Sequence, residues 1–140
     1  MIGAAMNPAS LPASSARKAR LRIVVADDDR DSVAMVAVIL RHEGHEVREV
    51  YRGSEVVHAV RDFDPDAALV DIGMPGMTGY DVARELRHLF GKRPILIAIT
   101  GWKKTSDKLA AQIAGFDHHL AKPFEPQALL DLLQSATAKS

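Results

Sequence analysis

The sequence predicts an α/β fold, a doubly wound parallel five-stranded sheet held between helices in three layers. Three observations lead there. From Leu21 onward, five short β-rich runs each precede a stretch with helical apolar spacing, the alternation from which βαβ units are built. The strongest runs are apolar without polar alternation, as strands buried on both faces must be. The connections are short, and right-handed crossovers then place helices on both sides of the sheet.

Each element has its own signal. Leu21 to Ala26 is the first strand and ends abruptly in Asp27-Asp28-Asp29. Val33, Val36, Ala37 and Leu40 recur at helical spacing, and Gly44 stands where a C-terminal glycine stops a helix. Glu46 to Tyr51 alternates and reads as a weaker, edge strand. Val56, Val57, Val60 and Phe63 mark the next helix, which Asp64-Pro65 closes. Ala67 to Val70 runs as a buried strand straight into Asp71, followed by the turn-rich Gly73 to Gly79 and a helix with Val82, Leu86 and Leu89 inward. Pro94 to Ile99 is the most apolar run and meets Thr100-Gly101. A polar helix facing inward with Leu109, Ala110 and Ile113 ends at Gly115. The last strand, Asp117 to Ala121, reaches Lys122-Pro123, and Leu129, Leu130 and Leu133 give the closing helix one apolar face.

Composition narrows the function classes. The 140 residues suit one domain, and the absence of cysteine excludes a disulfide framework and a Cys-ligated zinc site. Eighteen basic side chains balance eighteen acidic ones, which argues against a non-specific nucleic-acid binder. No apolar run approaches the roughly 18–20 residues of a membrane span. Residues 1–20 hold Pro8 and Pro12, no acid, and basic residues at Arg17, Lys18 and Arg20. They read as a disordered N-terminal tail before a domain over 21–140.

The informative polar residues fall at strand ends: Asp27, Asp28 and Asp29 after the first strand, Asp71 after the third, Thr100 after the fourth and Lys122 after the fifth. In an open parallel sheet these ends share one edge, where ligands bind. Two carboxylates about 4 Å apart repel by roughly 4 kcal/mol at an effective dielectric of 20, so three call for protons or a cation. A hard divalent ion such as Mg²⁺ suits carboxylate oxygens. A carboxylate beside it can serve as a nucleophile toward phosphorus, with Thr100 and Lys122 on the remaining phosphoryl oxygens. The same repulsion predicts that Asp27→Asn stabilises the metal-free protein. Asp29 and Asp31 read as capping acids for the following helix. Met74 and Met77 read as loop packing, and His42 and His45 as surface histidines.

Taken together, Val24 to Asp29, Asp71-Ile72-Gly73-Met74-Pro75-Gly76-Met77-Thr78-Gly79, Ile99-Thr100-Gly101 and Lys122-Pro123-Phe124 resemble the receiver domain of two-component response regulators, over Leu21 to about Ala136. The resemblance implies a flavodoxin-like strand order 2-1-3-4-5 and Asp71 as phosphoacceptor. It implies Mg²⁺, with Mn²⁺ as an alternative, held by Asp28, Asp71 and the backbone carbonyl of Gly73, and Asp27 holding a metal-bound water. Thr100 becomes the switch hydroxyl, Lys122 the phosphoryl-contacting lysine, and Lys122–Pro123 a cis peptide. The implied partners are a sensor histidine kinase or histidine phosphotransfer protein as donor and a downstream protein target, with no nucleic acid and no membrane, in the cytoplasm. Such a receiver is no enzyme beyond Mg²⁺-dependent self-phosphorylation and slow autodephosphorylation.

Two departures from the family pattern stand out. The usual aromatic switch, three residues before the lysine, is His119 here. Gly73 and Trp102 occupy the two positions where receivers tune dephosphorylation. Trp102 is also expected to report on the site by fluorescence. The chain ends at Ser140, soon after the last helix, which suggests a stand-alone receiver acting through partners, or else a piece of a hybrid kinase. Two rival functions share these residues: a Mg²⁺-dependent phosphatase of haloacid dehalogenase type with Asp27 as nucleophile and Asp29 as acid, and a degenerate receiver used only for docking.

Overall fold

A computed structural model of the chain describes residues 20–101 and 107–138. The expectations for residues 1–19 and for Trp102 lie outside the described residues. The first strand, β1, spans Arg22–Ala26 and is followed by α1 (Arg30–His42), β2 (Glu46–Val50) and α2 (Gly53–Phe63). Then come β3 (Ala67–Asp71), α3 (Gly79–Phe90), β4 (Ile95–Gly101), α4 (Asp107–Ala114), β5 (His118–Lys122) and α5 (Pro126–Thr137). All strand pairs are parallel, in the order β2-β1-β3-β4-β5. The doubly wound fold and its strand order stand as expected.

Side-chain parity divides the interior into two cores. Val24, Ala68, Val70, Leu96 and Ala98 face α2, α3 and α4, where they meet Val56, Phe63, Leu86 and Ala111. Ile23, Val25, Leu69, Ile97 and Ile99 face α1 and α5, where they meet Val33, Leu40, Leu129 and Leu133. Strands β1, β3 and β4 are thus buried on both sides, which is why their sequences carry no alternation. Strand β2 is one edge and β5 the other, and Glu46, Val47, Arg48 and Glu49 of β2 alternate exposed with half-buried.

Helix ends follow their local signals. The Asp29 side chain caps α1 by accepting from the Asp31 N–H, as the sequence suggested. Gly44, at φ +95°, takes the left-handed turn after α1 and returns its N–H to the Arg41 carbonyl. Thr78 and Asp81 form a reciprocal capping box at the start of α3. The Arg93–Pro94 and Lys122–Pro123 peptides are cis, the second as expected.

Four local readings are corrected. Strand β4 runs on through Thr100 and Gly101, and β5 includes Lys122 while leaving out Asp117, because ladder pairing continues to the Gly101–Lys122 register. Leu89 on α3 is 42% exposed; Val82, Ala83 and Leu86 form the buried stripe instead. Helix α4 is turned the other way from its apolar pattern. Ala111 and Ala114 are buried, whereas Leu109 and Ile113 are 64% and 78% exposed. His45 is half-buried, and its Nδ1 accepts the Leu21 N–H at 3.0 Å, so it pins the start of β1. His42 is exposed, as expected.

Candidate phosphoacceptor site

The site lies where β1, β3, β4 and β5 end. The polypeptide leaves β1 at Asp27, whose N–H reaches the Val50 carbonyl at 3.1 Å, so the first acid is fixed by the ladder to β2. Asp71 is the last residue of β3 and pairs in register with Ile99. Carboxylate oxygens of Asp27, Asp28 and Asp71 all lie within 4.8 Å of one another; Asp27 is buried, Asp71 half-buried and Asp28 exposed. Thr100 is 5% exposed and stands beside Ala121 in the ladder.

Lys122 closes the cluster. Its Nζ donates to Asp27 Oδ2 at 2.7 Å, across 95 residues of sequence. Asp27 Oδ1 accepts the Asp29 N–H at 3.0 Å, so both oxygens of this buried carboxylate are engaged. The three acids are therefore not equivalent. Asp27 has a cation of its own, and the expected stabilisation by Asp27→Asn is withdrawn, because that change would strip Lys122 of its partner.

Asp71 carries the electrostatic strain instead. Burial pushes its carboxyl up to about 6, helped by the charge of Asp27 and to a smaller degree Asp28, and opposed by Lys122 and the Gly73 N–H. Burial pulls the Lys122 ammonium down, but its hydrogen bond to Asp27 and the charges of Asp27, Asp71 and Asp29 carry it above the ordinary lysine value. A carboxylate destabilised by burial and by like charges, with oxygen donors clustered around it, fits a hard divalent cation. Asp27, Asp28 and Asp71 are the residues that would hold it, and such an ion would neutralise charge on the reacting oxygens when bound.

His119 is not part of the acidic cluster. It lies half-buried in β5 beside Ala98, on the sheet face that also carries Thr100, in a depression of about 170 Å³ with Lys108, Gln112 and Phe116. Burial, then Lys108 and His118, hold its imidazole below the usual histidine range.

Three features escaped the sequence reading. An apolar cavity of about 440 Å³ opens beside the Asp27–Lys122 pair, with Val25, Leu69 and Ile99 as floor and Met35 and Phe124 among its walls. Arg87 reaches from α3 to the carbonyls of Gly115, Gly91 and Pro94 and to Asp117, which also accepts the Leu96 N–H. It thereby ties the turn before β5 to the start of β4, at the sheet edge opposite the acidic cluster. Gly53 lets α2 approach the loop after Asp71. None of these has a local sequence signal, since each depends on residues brought together by the crossovers.

Comparison with known proteins agrees with this fold. Residues 23–134 match the family model for the response regulator receiver domain. The chain is 39% identical over 111 residues to the DNA-binding response regulator MtrA of Mycolicibacterium smegmatis, covering 79% of this chain and 48% of that protein. The chain thus spans about half the length of the curated relatives it matches. A response regulator structure from Chloroflexus aurantiacus superposes with a TM-score of 0.80 at 32% identity, covering 86% of this chain and 99% of that one. A CheY-like receiver domain protein of Methanospirillum hungatei gives a TM-score of 0.80 at 26% identity, covering 86% and 96%. Among the described residues, no helix is long and apolar enough to cross a membrane.

Proposed function

The chain belongs to the response regulator receiver domain family, and from that premise we propose that Asp71 is its phosphoacceptor. Receivers are signalling modules of two-component systems, not enzymes in the ordinary sense, and they bind Mg²⁺ at an acidic pocket. The observation that carries the residue assignment is the unequal cluster at the sheet edge: Asp27 is neutralised by Lys122, while among the described residues Asp71 has no cation of its own.

The reaction follows from that arrangement. A carboxylate oxygen of Asp71 forms a bond to phosphorus as the phosphorus–nitrogen bond of a phosphohistidine breaks, the electron pair leaving with the imidazole nitrogen. Asp28, Asp71 and the Gly73 carbonyl, with Asp27 acting through water, would hold Mg²⁺, or Mn²⁺ in its place, and such an ion would supply positive charge beside an anionic carboxylate and an anionic phosphoryl group. The Lys122 ammonium stands ready beside Asp71 to offset charge on a phosphoryl oxygen, and the Thr100 hydroxyl can donate to another only once Asp71 is modified. His119, on the Thr100 face of the sheet, occupies the place of the side chain that would follow that movement.

The donor is a sensor histidine kinase or a histidine phosphotransfer protein, and the output is a partner-binding surface for a downstream protein. The mycobacterial relatives are named DNA-binding, yet only half of their length is matched by this chain. Two details disfavour a haloacid-dehalogenase-type reaction. Both oxygens of Asp27 are already engaged, and Asp29 is spent as the helix cap. A docking-only receiver is disfavoured by the presence of every group the chemistry needs. Incubation with a small acyl phosphate and Mg²⁺ tests the assignment. One phosphoryl group on the peptide containing Asp71 is expected; undiminished labelling of Asp71→Asn, or labelling of Asp27, would overturn it.

A further inference from the structure

The loop after the phosphoacceptor, residues 72–78, is confined from several sides. The Gly79 N–H closes it onto the Ile72 carbonyl at 3.1 Å. Gly79 itself lies so close to the chain that an added Cβ would stand 2.7 Å from the Asp71 carbonyl oxygen and from the Ile72 Cα. Met74 is 1% exposed and anchors the middle. These restraints come from the loop, its own helix and the core. One more comes from a helix that supplies no residue to the acidic cluster. Gly53, the first residue of α2, is buried and faces Met77 so closely that a Cβ there would collide with the Met77 carbonyl oxygen and approach its C and Cβ atoms at 3.1 Å.

We propose that Gly53 is a positioning residue for the divalent cation: its missing side chain lets the loop lie where the Gly73 carbonyl can join Asp28 and Asp71 as a ligand. The inference rests on the metal reading given above. A backbone ligand has no rotamer to adjust, so its place is set by the path of its loop. Met77 lies four residues from Gly73 on the same short, closed loop, and its carbonyl is backbone, so it cannot yield as a flexible side chain would. Mg²⁺ demands near-ideal octahedral geometry at about 2.0–2.1 Å and tolerates displaced ligands poorly. Pushing Met77 away from α2 therefore weakens metal binding without touching any acidic residue. Groups that orient metal ligands from outside commonly change affinity by about 10–100-fold when altered.

The experiment measures Mg²⁺ binding to the full chain directly, by calorimetry and by amide chemical shifts, without phosphorylation. Wild type, Gly53→Ala, Met77→Ala and Leu133→Val are compared, each corrected for its folded fraction. Leu133, on α5, is buried in the other core and serves as a destabilised comparator. The expected result is about tenfold or greater loss of Mg²⁺ affinity in Gly53→Ala and none in Leu133→Val, while Met77→Ala, which keeps the carbonyl and Cβ that Gly53 faces, binds close to wild type. Amide exchange should quicken over residues 72–79 in Gly53→Ala while α5 keeps its protection. If Gly53→Ala does not fold in buffer, it and wild type are both measured in the osmolyte concentration that refolds it. Wild-type affinity in folded Gly53→Ala would overturn the positioning role and leave the metal reading intact. Failure of wild type to bind Mg²⁺ would overturn both.

Discussion

Replacing Asp71 by asparagine should stabilise the metal-free protein, and the gain should depend on pH in one direction only. The side chain keeps its shape and loses its charge. In the folded protein the Asp71 carboxyl is raised from 3.8 to about 6, burial being the main cause and the Asp27 charge the second. The shift corresponds to about 3 kcal/mol at 1.4 kcal/mol per pH unit. Asp71 is only partly buried, so solvent screening reduces this to about 1–2 kcal/mol. Because the folded-state value is raised, the native protein holds its proton between about pH 4 and 6, where the unfolded chain has lost it. Stability therefore falls as pH rises through that window, and the full cost is present above about pH 6. The asparagine variant escapes it. Urea and thermal unfolding followed by circular dichroism, in chelator, should show Asp71→Asn more stable by about 1–2 kcal/mol near pH 7.5, or about 3–8 °C in Tm. The gain should vanish near pH 4. Taking the difference between the two proteins cancels the titrating groups remote from Asp71, whose environments are shared. An equal gain at both pH values, or none at either, would refute the electrostatic origin. The same measurement on Asp27→Asn should show destabilisation, since that carboxylate is paired to Lys122 at 2.7 Å.

Other substitutions test other parts of the structure. Lys122→Met should cost about 1–3 kcal/mol at neutral pH, because it leaves the 8%-exposed Asp27 side chain charged and unpaired; denaturant midpoints measure it. Arg87→Ala should cost about 2–3 kcal/mol by the same assay, since it strands the carbonyls of Gly115 and Pro94 and the Asp117 carboxylate, and amide exchange should quicken at Leu96 and Gly115. Ile113→Ala should change stability by less than about 0.5 kcal/mol, whereas Ala114→Leu should cost about 1–3 kcal/mol by overpacking. Parallel thermal melts would expose an error in the orientation of α4 if the two effects were reversed. His119 is held below the ordinary imidazole value, so its protonation opposes the folded state and stability should be lost as pH falls below about 6.5. His119→Tyr should remove that component, and identical pH profiles for the two proteins would contradict it.

Much of the fold and of the site is legible in the sequence because its causes are local or periodic. A strand buried on both faces must be apolar throughout, so β1, β3 and β4 announce themselves, and the first polar residue after each apolar run marks the sheet edge. Asp27, Asp71 and Lys122 could be assembled in this way because parallel strands bring their C-terminal ends together whatever their separation in sequence. Asp29 and Gly44 were readable as helix ends, since capping needs only the residue and its near neighbours. Tertiary structure alone decided matters that depend on how closely two elements approach. Helix α4 buries Ala111 and Ala114 and exposes Leu109 and Ile113, an outcome that periodicity, which counts apolar residues without knowing the space available, reads the wrong way. The division of three similar acids into a paired Asp27 and, among the described residues, an unpaired Asp71 depends on where one lysine 95 residues away places its ammonium. Gly53 acquires meaning only against the Met77 carbonyl. Charge pairing and steric exclusion act over a few ångströms, and such distances between remote residues exist only once the chain has folded.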